Sequence, residues 1–263
     1  MQTNTYQAIK IKNTILNKID DFLVVEAPLQ ININKKPYTV VMRTPKSDKE
    51  LVRGLLYAED ILKKKSSFYF KIIEEKNNVP TIINVTIAEN NLGKGYLNKR
   101  TLLSVSSCGI CGKTALKDIK VSGKKLAPEK IVDAVHIYKM FIQLKKYQET
   151  FLKTGGSHAA GLFSATYTLL SIKEDIGRHN AVDKAIGDLL LTEQLNQAKY
   201  LLVSGRVSYE IVTKAFIAKI PVIIAVSACS SLAVDFAKEF GICLIGFTRA
   251  QKMTIYSNPE YLK

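Results

Sequence analysis

The alternation of apolar and polar residues near the start of the chain predicts a β-hairpin. Leu29, Ile31 and Ile33 alternate with polar residues, and residues 34–37 (Asn-Lys-Lys-Pro) are typical of a turn. Residues 38–42 then resume an extended pattern. Two antiparallel strands joined by that turn are therefore expected.

The next segment predicts a short helix followed by two more strands. Ser47 precedes Glu50 by three residues, as in a capping box, and leucines at helical spacing follow. The strand-like runs 68–73 and 81–88 are separated by a polar turn at 74–78. The first hundred residues thus predict a small α+β unit.

The second half of the chain predicts a helix and then a regular alternation of strands and helices. Pro128 suits a first helical turn, and the apolar residues that follow it at helical spacing, which predict the buried face, are Ile131, Val135, Tyr138 and Ile142. Strands are predicted at 166–172, 200–204, 222–226 and 242–247, and helices at 180–193, 208–219 and 231–240. Strands this continuously apolar favour a largely parallel sheet covered by helices on both faces.

Gly, Ser and Arg follow several of these strands at the edge where ligands of such sheets bind. The segments concerned are 174–180, 204–206, 227–231 and 248–249. One interpretation is a pocket for phosphates or a nucleotide, to which Arg178, Arg206 and Arg249 contribute. The other is ordinary helix capping by Ser208, Ser231 and Asn180, with each arginine in a salt bridge.

Composition indicates a globular protein of one large or two modest domains. The chain has 263 residues, of which 47% are hydrophobic and 23% charged, so extensive disorder is not expected. Four cysteines are too few for a disulfide-stapled secreted fold. The N-terminus has no uninterrupted apolar stretch for a signal peptide, and no run is long enough to span a membrane. These features predict a cytoplasmic protein with reduced thiols and no membrane partner.

The chain is strongly basic, with 38 Lys and Arg against 23 Asp and Glu, for a net charge of +15. Such a field attracts nucleic acid, an acidic membrane surface, an acidic protein or a phosphorylated ligand. The plainer interpretation is solvated surface charge, because only six of the basic residues are arginines. Nucleic acid is not expected as a partner, since no helix-turn-helix pattern or stripe of Arg and aromatic residues is present.

The sharpest chemical feature is the pair Cys108 and Cys111, at CxxC spacing with glycine after each. Such a pair can close a redox disulfide, form half of a zinc site, carry transferable sulfur, or have no chemical role. A structural zinc site is poorly supported because Cys229 and Cys243 lie far away in the sequence, and no histidines form a second pair. These two cysteines are expected to be buried small apolar residues.

Sulfur carriage requires a thiol that is nucleophilic, exposed and able to move between two partners. Glycines flanking the motif favour a mobile loop, and nearby Arg100 and Lys113 favour the thiolate of Cys108. The zinc chemistry of deaminases is absent, because no histidine is followed by x-Glu and Ser107 rather than Pro precedes Cys108.

Several motifs, in order along the chain, resemble the formate dehydrogenase accessory sulfurtransferases, the FdhD family. The most specific is the eleven-residue block 174–184 (EDIGRHNAVDK), which is long enough to be diagnostic where CxxC alone is not. The other matching segments are 107–113 (SCGICGK), 154–160 (TGGSHAA), 204–206 with Ser208 and Glu210, 231–234 (SLAV), and 246–249 (GFTR) with Tyr256. The chain departs from the family pattern at Asp60, where Gly is common, and at Cys229-Ser230, where Pro-Thr is common.

The resemblance implies a protein that takes persulfide sulfur from a cysteine desulfurase and delivers it to the molybdenum bis(molybdopterin guanine dinucleotide) cofactor that formate dehydrogenase requires. It implies an α/β chain, α+β overall, in three parts. These are a small N-terminal α+β domain (1–105), a mobile CxxC loop and linker (106–127), and a three-layer domain (128–263) that resembles cytidine deaminase without its zinc site. The implied partners are the desulfurase, formate dehydrogenase and a second copy in a homodimer.

Matching positions with the family assigns the site residues. Cys108 matches the persulfide-bearing cysteine and Cys111 its partner, as relay or resolving thiol. The segment implied to contact the cofactor comprises Phe247, Thr248, Arg249, Ala250, Gln251 and Lys252. Independently of the resemblance, Arg178, Arg206 and Arg249 are expected to anchor the ligand, and His179 is expected among the cofactor-binding residues. No metal ligands are expected. The alternative is a non-catalytic cofactor chaperone in which the thiols are incidental.

Three further polar positions stay open between structural and functional interpretations. His158 and His179 are either capping hydrogen-bonders or imidazoles near the ligand or the thiols. Asp183 and Lys184, one turn into a helix, are expected to form internal ion pairs rather than to bind ligand.

Overall fold

The computed structural model describes residues 2–63, 65–97, 123–128, 132–249 and 251–263. These residues form a two-stranded, a four-stranded and a six-stranded sheet, so the chain has the mixed α/β fold that the sequence predicts. Cys108, Cys111 and Ala250 lie outside the described residues. Within the described parts of the chain, no helix has both the length and the apolar character needed to cross a membrane.

The elements are numbered in chain order. The strands are β1 (Thr3–Lys12), β2 (Ile15–Val24), β3 (Ala27–Ile33), β4 (Lys36–Arg43), β5 (Tyr69–Lys76), β6 (Val79–Thr86), β7 (His158–Ser164), β8 (Leu169–Asp175), β9 (Ala198–Val203), β10 (Val222–Ala225), β11 (Cys243–Arg249) and β12 (Lys252–Ser257). The α-helices are α1 (Asp48–Ala58), α2 (Ala134–Lys146), α3 (Glu149–Thr154), α4 (Arg178–Leu191), α5 (Tyr209–Ile217) and α6 (Ser231–Phe240).

The four-stranded sheet, in the order β4-β3-β6-β5, buries one face against α1. The alternating residues Leu29, Ile31 and Ile33 are fully buried there, which confirms the predicted hairpin and its core face. The predicted capping box is wrong. Ser47 has a positive φ of 54° and its side chain makes no capping hydrogen bond, so α1 begins without one.

The six-stranded sheet has the order β12-β11-β10-β9-β7-β8 and lies between two layers of helices. Alternate residues of each strand point to opposite faces. In β10, for example, Ile223 packs with α4, α5 and α6, whereas Val222 and Ile224 pack with α2 on the other side. The sheet is mixed rather than largely parallel, because β7 inserts antiparallel between β8 and β9 and β12 is antiparallel to β11.

The predicted face of the helix after Pro128 is wrong. The helix α2 begins later, where the Asp133 carboxylate accepts a hydrogen bond from the amide of Val135 at 2.9 Å. Its buried residues are Ile137, Met140 and Leu144, whereas Val135 and Ile142 are more than half exposed. The sheet thus contacts a neighbouring face of the helix, and apolar residues remain on its outer side.

The two larger sheets are joined by a close crossing of α1 and α4. A Cβ at Gly54 would overlap the backbone of Asp183, and one at Gly187 would overlap the backbone of Glu50. Glycine at both positions therefore allows the two helix backbones to touch. This contact fixes the four-stranded sheet against the helical layer that carries Arg178 at its start.

Candidate functional site

Four strands end, and two begin, at the same edge of the six-stranded sheet. The carboxyl ends of β8, β9, β10 and β11 meet there, together with the starts of β7 and β12. Neighbouring loops are joined by backbone hydrogen bonds, with Ser204 N donating to Ala159 O, Val207 N to Ala228 O, and Phe247 N to Ser227 O, all at 3.0–3.1 Å. The segments in which the sequence placed an anion pocket are therefore adjacent.

His158 is the first residue of β7 and lies at this edge. Its Nδ1 is 3.4 Å from Ser204 Oγ, and the same hydroxyl accepts a 2.9 Å hydrogen bond from Ala159 N. A Cβ added at Gly205 would lie 3.1 Å from His158 Nδ1 and 3.4 Å from the Cβ of Arg178. Glycine at position 205 thus lets the imidazole and the start of α4 approach the loop after β9.

Three effects lower the pKa of His158 below its usual 6.5. Burial is the largest, because it disfavours the charged ring, and the positive charges of Arg178 and Arg206 add to it. The carboxylate of Asp175 acts in the opposite direction but is outweighed. His158 is therefore neutral near pH 7, and the two guanidinium groups impose a positive potential at this point.

Two buried polar atoms at this edge make no hydrogen bond with any described residue. They are Nε of Arg178 and Oγ1 of Thr248. A buried donor without a partner costs free energy, roughly 1–3 kcal/mol, so such atoms call for an acceptor supplied from outside. A phosphate oxygen at Arg178 would satisfy the guanidinium, and this fits an anionic ligand better than a neutral one.

Helix capping does not account for the polar residues at this edge. Ser208 precedes α5, but its side chain makes no capping hydrogen bond to that helix; its Oγ lies 3.0 Å from His179 Nε2 instead. Asn180 is inside α4, and the cap of α6 is Ser230, not Ser231. Across the described segments, none of the three arginines of the predicted pocket forms an ion pair. The capping interpretation is therefore wrong for most of these residues.

His179 is buried between α4 and α5. Its Nε2 contacts Ser208 and lies 3.8 Å from the Glu210 carboxylate. The side chain is 4% exposed, so it supports the start of both helices from beneath the edge. Its predicted contact with the cofactor stays a prediction.

The turn between β11 and β12 carries the segment that the resemblance assigns to the cofactor. Phe247 has a positive φ of 51° and is exposed, and the β11–β12 register is irregular between Gly246 and Arg249. Arg249 pairs with Lys252, and both are exposed. The turn therefore projects an aromatic ring and two cationic side chains from the edge.

The arginines form two groups rather than one cluster. Arg178 and Arg206 act together on His158, whereas Arg249 follows a strand three positions along the sheet from β7. Neighbouring strands are about 4.8 Å apart, so β11 lies about 14 Å along the sheet from β7, the strand that begins with His158. A ligand that contacted both the Arg178 and Arg206 pair and Arg249 would need several charged groups along its length.

The diagnostic block 174–184 holds the edge together. The buried carboxylate of Asp175 accepts hydrogen bonds from Thr44 N, Gly177 N and Asn180 Nδ2 at 2.8–3.1 Å. Lys184 Nζ lies 2.7 Å from the same carboxylate and 2.7 Å from Thr44 O. This network fixes the first turn of α4, and thus Arg178, against the four-stranded sheet.

Two other acidic residues of this block, Glu174 and Asp183, also hold neighbouring elements in place. Glu174 binds the amides of Thr150 and Phe151 and the Ser157 hydroxyl, which fixes α3 just before His158. Asp183 forms an ion pair with Lys214. The expectation that Asp183 and Lys184 form internal ion pairs is confirmed, although sequence could not identify Thr44 as a partner, because that contact spans 140 positions.

The two described cysteines are poor nucleophiles. Burial raises the pKa of both Cys229 and Cys243 to about 12, so neither is a thiolate at neutral pH. Cys243 is fully buried in β11 as predicted, whereas Cys229 is only partly buried, close to Gly246 at the site edge. In the ranges that the structure describes, no three His, Cys, Asp or Glu side chains are grouped closely enough to hold a metal ion.

Comparison with known proteins gives consistent matches over nearly the whole chain. The model of the FdhD/NarQ family matches residues 24–263. The chain is 38% identical over 270 residues to the sulfur carrier protein FdhD of Sulfurisphaera tokodaii, covering 99% of each chain. It is 42% identical over 247 residues to that of Mycolicibacterium paratuberculosis, covering 90% of each. The crystal structure of a putative formate dehydrogenase accessory protein from Desulfotalea psychrophila has the same fold, with a TM-score of 0.76 at 21% identity and complete coverage of both chains.

Proposed function

This chain belongs to the FdhD/NarQ family, and on that premise we propose that it is a sulfur carrier that serves the maturation of formate dehydrogenase. The observation that carries the proposal is the similarity, over 90–99% of the chain, to proteins named as sulfur carriers. The SCGICGK motif at 107–113 supplies the thiols that such a role needs. The sulfur-bearing residue, the sulfur donor and the acceptor named below are also proposals.

Cys108 is proposed as the sulfur-bearing residue. Its thiolate attacks the outer sulfur of a persulfide on a cysteine desulfurase. One S–S bond forms and one breaks, the donor leaves as a thiolate, and the sulfur keeps its oxidation state. Cys111 is proposed as the relay or resolving thiol. The raised pKa values of Cys229 and Cys243 support this choice, because they argue against either of those thiols as the carrier.

The acceptor is proposed to be the molybdenum bis(molybdopterin guanine dinucleotide) cofactor, bound at the edge of the six-stranded sheet. The buried Nε of Arg178 and the positive potential at His158 support an anionic substrate there. The turn at Arg249 provides a second cationic position, at the end of a strand that lies about 14 Å along the sheet from the strand of His158, which suits an extended, multiply charged molecule. His158, neutral and partly buried, is placed to accept a proton near such a ligand.

A direct test compares activation of formate dehydrogenase by the wild-type chain and by Cys108→Ser. Loss of the carrier thiol is expected to lower activation to the background seen without this protein, with the folded state unchanged. Cys243→Ala is the matched control, since Cys243 is a core residue of β11 with no thiolate to offer, and it should retain activation. Full activation by Cys108→Ser would remove that residue from the proposal.

The second candidate is a chaperone that binds the cofactor and carries no sulfur. It is favoured by the positive potential that Arg178 and Arg206 impose at His158, to which the described thiols contribute nothing. It predicts that Cys108→Ser/Cys111→Ser still activates formate dehydrogenase while Arg249→Ala does not. The sulfur-carrier proposal predicts that both variants fail.

A further inference from the structure

Thr44 directly follows β4 and uses its amide, its hydroxyl and its carbonyl to bind the block 174–184. The amide donates to the Asp175 carboxylate at 3.1 Å, the hydroxyl accepts a hydrogen bond from Ile176 N at 3.1 Å, and the carbonyl accepts one from Lys184 Nζ at 2.7 Å. Thr44 is fully buried. A single residue of the four-stranded half therefore makes three hydrogen bonds to the segment that begins the candidate site.

The turn that leads into α4 has only two residues, Ile176 and Gly177. The Ile176 amide donates to the Thr44 hydroxyl, and the Gly177 amide donates at 2.8 Å to the carboxylate that Thr44 N also binds. Thr44 thus fixes one amide of the turn directly and the other through Asp175. Because Arg178 is the next residue, its place at the sheet edge depends on these bonds.

The hydroxyl is the part of Thr44 that a substitution can remove with little change of shape. Valine keeps the two backbone hydrogen bonds but leaves the Ile176 amide without its acceptor. A partly buried donor that loses its acceptor costs free energy, so the turn is expected to move toward water. That movement displaces Arg178, whose buried Nε has no hydrogen-bond partner among the described residues.

We propose that Thr44 is a positioning residue for the anion site, acting through the turn 176–177 to hold Arg178 where it binds a phosphate. The inference rests on the proposed function, since it requires an anionic substrate at the edge of the six-stranded sheet. It adds that a residue of the four-stranded half, more than 130 positions away in the sequence, sets the affinity for that substrate.

The first test measures the affinity of the full chain for GDP by isothermal titration calorimetry, with GDP as the phosphate probe. Thr44→Val is expected to raise the dissociation constant about tenfold, because a displaced guanidinium loses a charged hydrogen bond. Thr44→Ser keeps the hydroxyl and should bind GDP as wild type does. Thr39→Val is the matched control, because Thr39 is a buried residue of β4 paired with Ile31, and it should leave the affinity unchanged.

A double-mutant cycle separates positioning of Arg178 from general damage to the fold. If Thr44 acts through Arg178, Thr44→Val should have no further effect on GDP affinity once Arg178→Gln has removed the guanidinium. A residue that merely stabilises the protein would weaken GDP binding equally in the two backgrounds.

The titration of His158 by NMR gives the same cycle without a ligand. The charge of Arg178 lowers the pKa of His158, so its displacement by Thr44→Val should raise the midpoint toward 6.5. In the Arg178→Gln background the same substitution should leave the midpoint unchanged. Arg206 and Asp175 also act on His158, and comparison of the two backgrounds cancels their contributions. This readout covers variants that bind GDP too weakly to measure.

Three results would overturn the proposal. They are a Thr44→Val chain that retains either the GDP affinity or the His158 midpoint of wild type, a Thr44→Ser chain that loses either, and equal effects of Thr44→Val with and without Arg178. If Thr44→Val does not fold, Thr44→Ala replaces it with the same expectations. A wild-type chain that binds no GDP would contradict the anion site itself, whereas GDP binding that Thr44→Val leaves unchanged contradicts this proposal alone.

Discussion

At the scale of single residues, His158 carries the most information about the site. Sequence left it open whether this histidine caps a strand or lies near a ligand. The structure places it at the start of β7, against Gly205 and between the charges of Arg178 and Arg206. No local pattern could indicate this, because Arg178 follows β8 whereas Gly205 and Arg206 follow β9, and these two segments meet His158 only when the sheet forms.

The lowered pKa of His158 gives a direct prediction for the site. By NMR, its ring is expected to titrate with a midpoint below 6.5, and addition of GDP should raise that midpoint, because the diphosphate offsets the arginine charges. His158→Gln assigns the resonance, and His136 in α2, on the other face of the sheet, should not respond to GDP. A His158 midpoint at or above 6.5, or one indifferent to GDP, would contradict the proposed anion site.

The same shift makes folding stability depend on pH with a definite sign. Below pH 6.5 the unfolded chain binds a proton at this histidine before the native state does. The free energy of unfolding therefore falls on acidification through this window, and His158→Gln should show a smaller fall than wild type. An identical pH dependence in the two chains would indicate that His158 is not held neutral by the fold.

At the scale of elements, the strands and helices of the second half were largely predictable. The continuous apolar runs of β9, β10 and β11 and the boundaries of α6 were found because burial on both faces leaves a strong signal. The predicted buried face of α2 was wrong because this helix carries apolar residues both on the side that packs on the sheet and on its exposed side.

Two elements left no usable signal. Three of the seven residues of β7 are Ala or Gly, which weakens its apolar signal, and the β1–β2 hairpin is apolar on both faces, so it lacks the alternation that marks a half-buried strand. The position of β7 within the sheet could not be predicted from the sequence either. The insertion of β7 between β8 and β9 depends on contacts distant in sequence.

The network that joins α4 to the four-stranded sheet predicts a specific cost. Lys184→Met leaves the buried Asp175 carboxylate without its cation and is expected to lower the free energy of unfolding by about 3 kcal/mol. The double variant Asp175→Asn/Lys184→Met removes both charges and should be less destabilised than the single one. Denaturant unfolding of the two chains measures this, and equal or reversed stabilities would show that the ion pair does not fix α4.

At the scale of the whole molecule, the account rests on two separable parts. The edge of the six-stranded sheet brings cationic residues from several strand ends together, and the SCGICGK motif is proposed to supply the thiols for sulfur carriage. The block 174–184, on which the family resemblance mainly rests, builds the junction between the two larger sheets. Its Asp175, Asn180 and Lys184 each contact Thr44 or its neighbour Met42 in the other half.

The central claim, that the chain carries sulfur on Cys108, is tested most directly by intact mass spectrometry after incubation with a cysteine desulfurase and cysteine. The wild-type chain is expected to gain the mass of one sulfur atom, and dithiothreitol should remove it. Cys108→Ser should gain none, while Cys243→Ala should gain it as wild type does. Unaltered mass in the wild type, or sulfur retained on Cys108→Ser, would contradict the account.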